Sequence, residues 1–287
     1  PFFTTSTTVG TGFALPYYWA ISNDRDLTFT PKTYAKESLL FLNEYRQAFS
    51  NGFLTLDTSF TEGYKNTSSI KTPGSRNHIF ANLDINFNED ESYESKLSMK
   101  TQRVSNDTFF RIHDINTALV NSENTSLENE IRYTFAKDNT SLSIATNVYE
   151  NLREKTNSRY EYVLPNILYG KSFFSEKFGS IDIESNAFYS NYSTNKHKTF
   201  FTNDVVWSPY ENITKGGFMN SFKAMIRNTN YETKKTNEFK DEQTINEISG
   251  VLALKTSLPM KKENLNYSNL FSPNFMIRYA PGHMRDL

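Results

Sequence analysis

Arg76-Asn77-His78-Ile79-Phe80-Ala81-Asn82-Leu83-Asp84-Ile85-Asn86-Phe87-Asn88 is the stretch on which the fold turns. Laid out as an extended chain it carries Ile79, Ala81, Leu83, Ile85 and Phe87 on one side, with His78, Asn82, Asp84, Asn86 and Asn88 among the residues on the other. Side chains of a strand alternate between faces with period two, whereas a helix returns its apolar residues every three or four positions. Period two wins. A strand of about ten residues with one oily face fits a tilted crossing of a lipid bilayer.

The same writing recurs on both sides of this stretch. Upstream, Leu39, Phe41, Tyr45 and Phe49 alternate with Glu44 and Arg46, and Asn51-Gly52 reads as a tight turn into a strand carrying Leu54, Leu56, Thr58 and Phe60. Downstream, Ile131, Tyr133 and Phe135 alternate with Glu130, Arg132 and Thr134; Lys137-Asp138-Asn139-Thr140 then turns into Leu142, Ile144 and Val148. Ile181, Ile183, Ala187 and Tyr189 oppose Asp182, Glu184 and Asn186, while Phe218, Phe222, Ala224 and Ile226 oppose Lys223 and Arg227. Ile248, Leu252 and Leu254 precede a last segment with Phe275, Ile277 and Tyr279.

About 14 such segments imply roughly 20 residues per strand and connection, against the 8 to 12 of a compact sandwich. Short turns alternate with polar connections at Tyr64–Ser75, Asn116–Ser126 and Glu232–Gln243, the rhythm of a membrane barrel with two unlike rims. A β-solenoid or propeller also has many strands, but no fixed-period motif is present. The expected fold is all-β: an antiparallel transmembrane β-barrel, incomplete, with residues 1–287 forming one partial barrel domain. The chain opens at Pro1 and closes at Leu287 just after a patterned segment, so it is expected to be a fragment in which a missing export signal says nothing.

Composition narrows the function. Hydrophobic residues make up 37% and aromatics 15% of the chain, too aromatic for disorder and too polar for an ordinary core. Lys plus Arg is 31 against 32 for Asp plus Glu, with no basic block, so no nucleic-acid partner is suggested. Mean hydropathy is −0.61, and no apolar run is long enough for a spanning helix. Cysteine is absent, which removes thiolate catalysis and Cys-ligated zinc. His78, His113, His197 and His283 stand far apart without a second ligand at metal-binding spacing. No nucleophile elbow or phosphate-cradling glycine loop occurs, and Gly216-Gly217 reads as the start of a strand. An enzyme is therefore not expected, and neither is a cofactor or a metal. Triplets such as Asn66-Thr67-Ser68 are the chance product of an Asn- and Ser-rich chain.

The charged residues opposite the oily rows are Glu44, Arg46, Asp84, Glu130, Arg132, Asp182, Glu184, Lys223, Arg227 and Arg278. All are expected to face a watery lumen, because Lys or Arg on the lipid face at the bilayer midplane costs about 2 to 4 kcal/mol. Pro16 and Pro31 fall within or beside the first two expected strands, where a proline cannot donate its ladder hydrogen bond. They end strands, or they mark a seam built to open.

Two stretches carry a resemblance: Leu15-Pro16-Tyr17-Tyr18-Trp19-Ala20-Ile21 with Asp26-Leu27-Thr28-Phe29-Thr30-Pro31, and Ser272-Pro273 with Arg278-Tyr279-Ala280-Pro281-Gly282-His283-Met284-Arg285. Asn43-Glu44-Tyr45-Arg46 and Ser105-Asn106-Asp107-Thr108-Phe109-Phe110-Arg111 add weaker matches in the same order. Together they resemble the barrel of the LptD (OstA/Imp) family of lipopolysaccharide-assembly proteins of the Gram-negative outer membrane. The resemblance implies a translocon rather than an enzyme, with Pro16 and Pro31 at a lateral gate and lipopolysaccharide leaving between first and last strands. It further implies an LptE-like lipoprotein plug inside the barrel, and an LptA-like periplasmic bridge reached through a jellyroll that these residues lack, together with the strands that close the barrel. A porin-like or ligand-gated solute uptake barrel is the alternative.

Overall fold

The structure, a computed structural model, describes residues 1–281 apart from 7, 63–73, 89–91, 156–157, 193–195, 237–242 and 265–266. Asn66-Thr67-Ser68, most of Tyr64–Ser75, the centre of Glu232–Gln243, and His283 with its neighbours from Gly282 to Arg285 lie outside the described residues.

The described residues form nineteen strands and one short helix, and seventeen of the strands belong to one hydrogen-bonded sheet, antiparallel in each pair whose register is described. The fold is all-β, as the two-residue rhythm requires. In chain order the first strands are β1 (Phe2–Ser6), β2 (Gly10–Ala14), β3 (Tyr17–Ser22), β4 (Arg25–Tyr34), β5 (Leu40–Phe49), β6 (Gly52–Thr61), β7 (Arg76–Asn86) and β8 (Glu94–Val104). The helix α1 (Phe109–His113) follows, and then β9 (Ser126–Lys137), β10 (Thr140–Asn151), β11 (Tyr160–Ser175), β12 (Gly179–Tyr192), β13 (His197–Ser208) and β14 (Asn212–Ile213). The last are β15 (Met219–Lys234), β16 (Thr244–Ser257), β17 (Met260–Asn264), β18 (Tyr267–Phe271) and β19 (Asn274–Tyr279).

Two compact units divide the chain: residues 1–135 with 145–164 and 191–194, and residues 136–144 with 165–190 and 195–287. In the first, β3 to β8 pair in sequence order, each with the next. Connections alternate between two-residue turns at Asn23-Asp24 and Ser50-Asn51 and longer excursions such as 105–125. Ser50 and Asn51, not Asn51-Gly52, make the second turn. Gly52 opens β6, where a Cβ would stand 2.3 Å from the Asp84 carbonyl oxygen, so its missing side chain lets β7 approach.

In the second unit β15 is the central ribbon, paired to β13 and β14 on one side and to β16 on the other, with β19 beyond β16. Asp138 takes a left-handed conformation (φ 49°) in the turn between β9 and β10, as a two-residue hairpin turn requires. Gly216 and Gly217 do not begin a strand. Gly217 closes a turn onto the Thr214 carbonyl with φ 81°, and β15 starts two residues later.

Burial runs inside out relative to a soluble domain. Among the described residues, 42 large apolar or aromatic side chains are exposed and only 13 hydrophobic ones are buried. On β7, Ile79 is 47% exposed while its neighbours His78 and Phe80 are 0% and 1%. Asp57, Ser59 and Thr61 of β6 are buried and Phe60 between them is exposed. In water such an oily exterior would be an aggregation surface; in hydrocarbon it is a solvated one. No helix among the described residues is long and apolar enough to cross a membrane.

Candidate functional site: the charged face, the proline break and segment 105–125

The ten charged residues singled out above lie on the face opposite the apolar rows of their strands, and cross-strand bonds reach Arg46, Asp84, Glu130, Asp182 and Arg227 among them. Within the first unit, Arg46 donates to Asp26 at 2.9 Å across the β4–β5 pair and lies 3.7 Å from Glu44. Asp84 accepts from Ser98 at 2.7 Å and lies 3.1 Å from the Lys96 ammonium. Arg132 donates two bonds to Glu130, at 2.9 and 2.6 Å, and Asn147 of β10 adds a third to the same carboxylate at 2.6 Å.

In the second unit Arg227 forks onto Asp204, its direct partner on β13, at 2.7 and 2.5 Å. Asp182, Glu184, Asp204, Lys223 and Arg227 line one open groove of about 710 Å³. Arg278 lies opposite Ala253, which lies opposite Lys223, so these three share a face. Bidentate Arg–carboxylate pairs fix side chains as well as neutralise them, which makes this surface polar, of mixed sign and largely self-satisfied.

Pro16 and Pro31 act on different sides of the same strand. β2 and β3 are one strand broken at Leu15-Pro16: from Gly12 to Ala20 both pair with β4 in one register that places Leu15 opposite Pro31. The Leu15 amide donates to the Pro31 carbonyl at 3.2 Å. Such a pair normally exchanges two bonds, but Pro31 has no N–H to return, and the Leu15 carbonyl goes without its ladder donor. Pro16, one residue on, falls at a position not bonded to β4, so its missing N–H faces the outer edge of the broken strand. Beyond the break, every residue of β3 is exposed, including Tyr17, Tyr18 and Trp19.

The third feature is one the sequence reading missed. The stretch 105–125, part of which reads as a polar connection, folds against the charged face of the first unit. Phe109, Phe110, Ile115 and Val120 are buried there with Val9, Tyr34, Leu40, Phe80, Leu127 and Leu152, forming the one apolar cluster resolved among the described residues. Under it lies a buried polar lattice. His78 Nδ1 bonds the Ser59 hydroxyl, His78 Nε2 stands 3.1 Å from Asp57 Oδ1, and the Thr117 hydroxyl donates to the other Asp57 oxygen. Both ring nitrogens of His78 thus have a polar partner. The order serine, histidine, aspartate suggests nucleophilic catalysis, but all three side chains are buried, and the Phe110 and Phe80 rings pack 5.3 and 5.4 Å from the imidazole. Phe109-Phe110 followed by Ile112 and Ile115 was the available signal that this connection buries a face.

The segment is held at its rim as well. Arg159, just before β11, donates to both Asp107 oxygens at 3.0 and 2.6 Å and to Glu150 at 2.8 and 2.5 Å. That guanidinium holds the Asp107 carboxyl below the usual carboxylate range, and the two carboxylates push the Arg159 pKa up.

A family model described as LPS transport system D, LptD, matches residues 77–286, from β7 through β19. The chain belongs to the LptD family. The LPS-assembly proteins LptD of Legionella pneumophila strains Lens, Paris and Philadelphia 1 are each 24% identical to it over 134 residues. Each alignment covers 44% of this chain and 16% of the relative. Segment 105–125 falls within the stretch matched by the LptD model; Pro16 and Pro31 lie before it.

Proposed function

We propose that this LptD-family chain is part of the wall of an outer-membrane lipopolysaccharide translocon. In this reading the exposed apolar rows meet hydrocarbon, and Glu44, Arg46, Asp84, Glu130, Arg132, Asp182, Glu184, Lys223, Arg227 and Arg278 face a polar lumen that carries the saccharide. The acyl chains leave through a lateral seam at the first strands, where Pro16 and Pro31 act as gate residues. An LptE-like plug and an LptA-like bridge belong to the same reading. The observation that carries it is the half-bonded Leu15–Pro31 pair inside a strand whose apolar side chains stay exposed, together with membership in the LptD family.

An amphiphile needs a path that is polar on one side and greasy on the other, and a strand pair that is short of a ladder bond is where a membrane wall parts most easily. Pro16→Ala with Pro31→Ala in the full-length protein should tighten the seam and slow appearance of new lipopolysaccharide on the cell surface. Unchanged delivery would remove the gating role. Planar-bilayer conductance separates the rival: a constitutively open, solute-sized channel in the full-length protein with its plug would favour a porin.

A further inference from the structure

We propose that segment 105–125 is a latch that ties the seam strand β4 to β6 and β7, so that the seam opens only as the segment lifts. The inference rests on the gate reading above and adds a part to it.

β4 touches two things at once. Through its backbone at Pro31 it makes the half-bonded contact with Leu15. Through the next residues on its charged face it grips the end of α1: the Lys32 ammonium donates to the His113 and Asp114 carbonyls at 3.1 and 3.3 Å, and the Tyr34 hydroxyl donates to the His113 carbonyl at 2.7 Å. Asp114 takes a left-handed conformation (φ 48°), which ends the helix there. Lys32 is only 2% exposed and lies 5.3 Å from the Tyr34 ring centre. A buried ammonium is tolerated where acceptors and an aromatic face replace water, and these are the acceptors it has in this site.

The far side of the same segment is bound elsewhere. Thr117 reaches Asp57 on β6, and Phe110 packs on Phe80 and His78 of β7. β4 and β6 are not neighbours, since β5 lies between them. The segment therefore staples β4 across β5, over roughly 10 Å at the usual strand spacing. Moving β4 away from the sheet would strip Lys32 of its carbonyls, and lifting the segment would break the same bonds from the other side. Each motion lowers the cost of the other, and such coupling is reciprocal.

Hydrogen–deuterium exchange of the full-length protein in lipid nanodiscs tests both directions. Phe110→Ala with Thr117→Val alters nothing on β4, yet should raise exchange in the peptides covering Gly10–Ala14 and Phe29–Tyr34 roughly tenfold, the scale of losing one well-made polar contact. Lys32→Met with Tyr34→Phe should raise exchange in the segment itself by a similar factor, while β15 and β16 keep wild-type rates. Wild-type exchange at the seam in the first variant, or in the segment in the second, would overturn the latch. Pro31→Ala serves as the separate arm: failure of that substitution to slow seam exchange would count against the gate reading and leave the coupling result standing on its own.

Discussion

Pro31 shows how one side chain can set the strength of a strand pair. Its carbonyl still accepts from Leu15, but the returning donor is missing, and there the β2–β3 strand loses a ladder bond it would otherwise have to β4. Pro31→Ala should restore a bond worth about 1 kcal/mol, read as several-fold slower amide exchange across the seam. Asp107 and Arg159 give a second residue-level prediction. The Asp107 pKa lies below its ordinary value in the folded protein, so its contribution is present above the ordinary carboxylate pKa and fades as pH falls through the lowered one. Asp107→Asn should loosen segment 105–125 at neutral pH, measured by protease nicking, and the difference from wild type should shrink towards pH 3. No shrinkage would mean the carboxylate is not what holds the rim. Ile79 and Asn82 form the third test: Ile79→Lys should cost about 2 to 4 kcal/mol of stability in a bilayer, and Asn82→Lys on the opposite face close to none.

Among elements, those with an unbroken two-residue rhythm were legible from the chain alone. β7 ends within two residues of its expected bound, and the β9–β10 turn falls at Asp138-Asn139 as its residues dictate. A charged residue can be assigned to the face opposite the apolar row of its own strand because a strand leaves no other choice once that row is identified. The pairs they form, such as Arg227 with Asp204, depend on register between strands, and the pattern within a strand does not contain it. Segment 105–125 was illegible for a different reason: its fold is dictated by the face it covers. α1 has five residues and no side-chain cap, too short to hold itself, and its stability comes from Phe109 and Phe110 packing against β7. Phe110→Ala should accordingly cost about 3 to 5 kcal/mol locally, seen as early proteolysis of the segment while the strands persist. Simultaneous loss of the strands would show that the segment nucleates the sheet instead of decorating it.

For the whole molecule, the decisive property is the reversal of the usual arrangement. Oily rows that a soluble sandwich would press together stand exposed on this chain, and charged rows that it would expose are paired or buried. The LptD family match and the exposed rows both point to a membrane wall, one from sequence likeness and the other from burial. Transport, gate and latch all depend on that orientation, because a lumen and a seam have meaning only if hydrocarbon lies on the far side. A single-cysteine scan of residues 79–86 in the full-length protein, reconstituted in bilayers and spin-labelled, measures it directly with a lipid-soluble and a water-soluble relaxation agent. Ile79, Ala81, Leu83 and Ile85 should respond to the lipid-soluble agent and show little response to the aqueous one, with the even positions lacking the lipid response. Odd positions shielded from both agents would place those side chains in a dry protein interior and contradict the membrane wall.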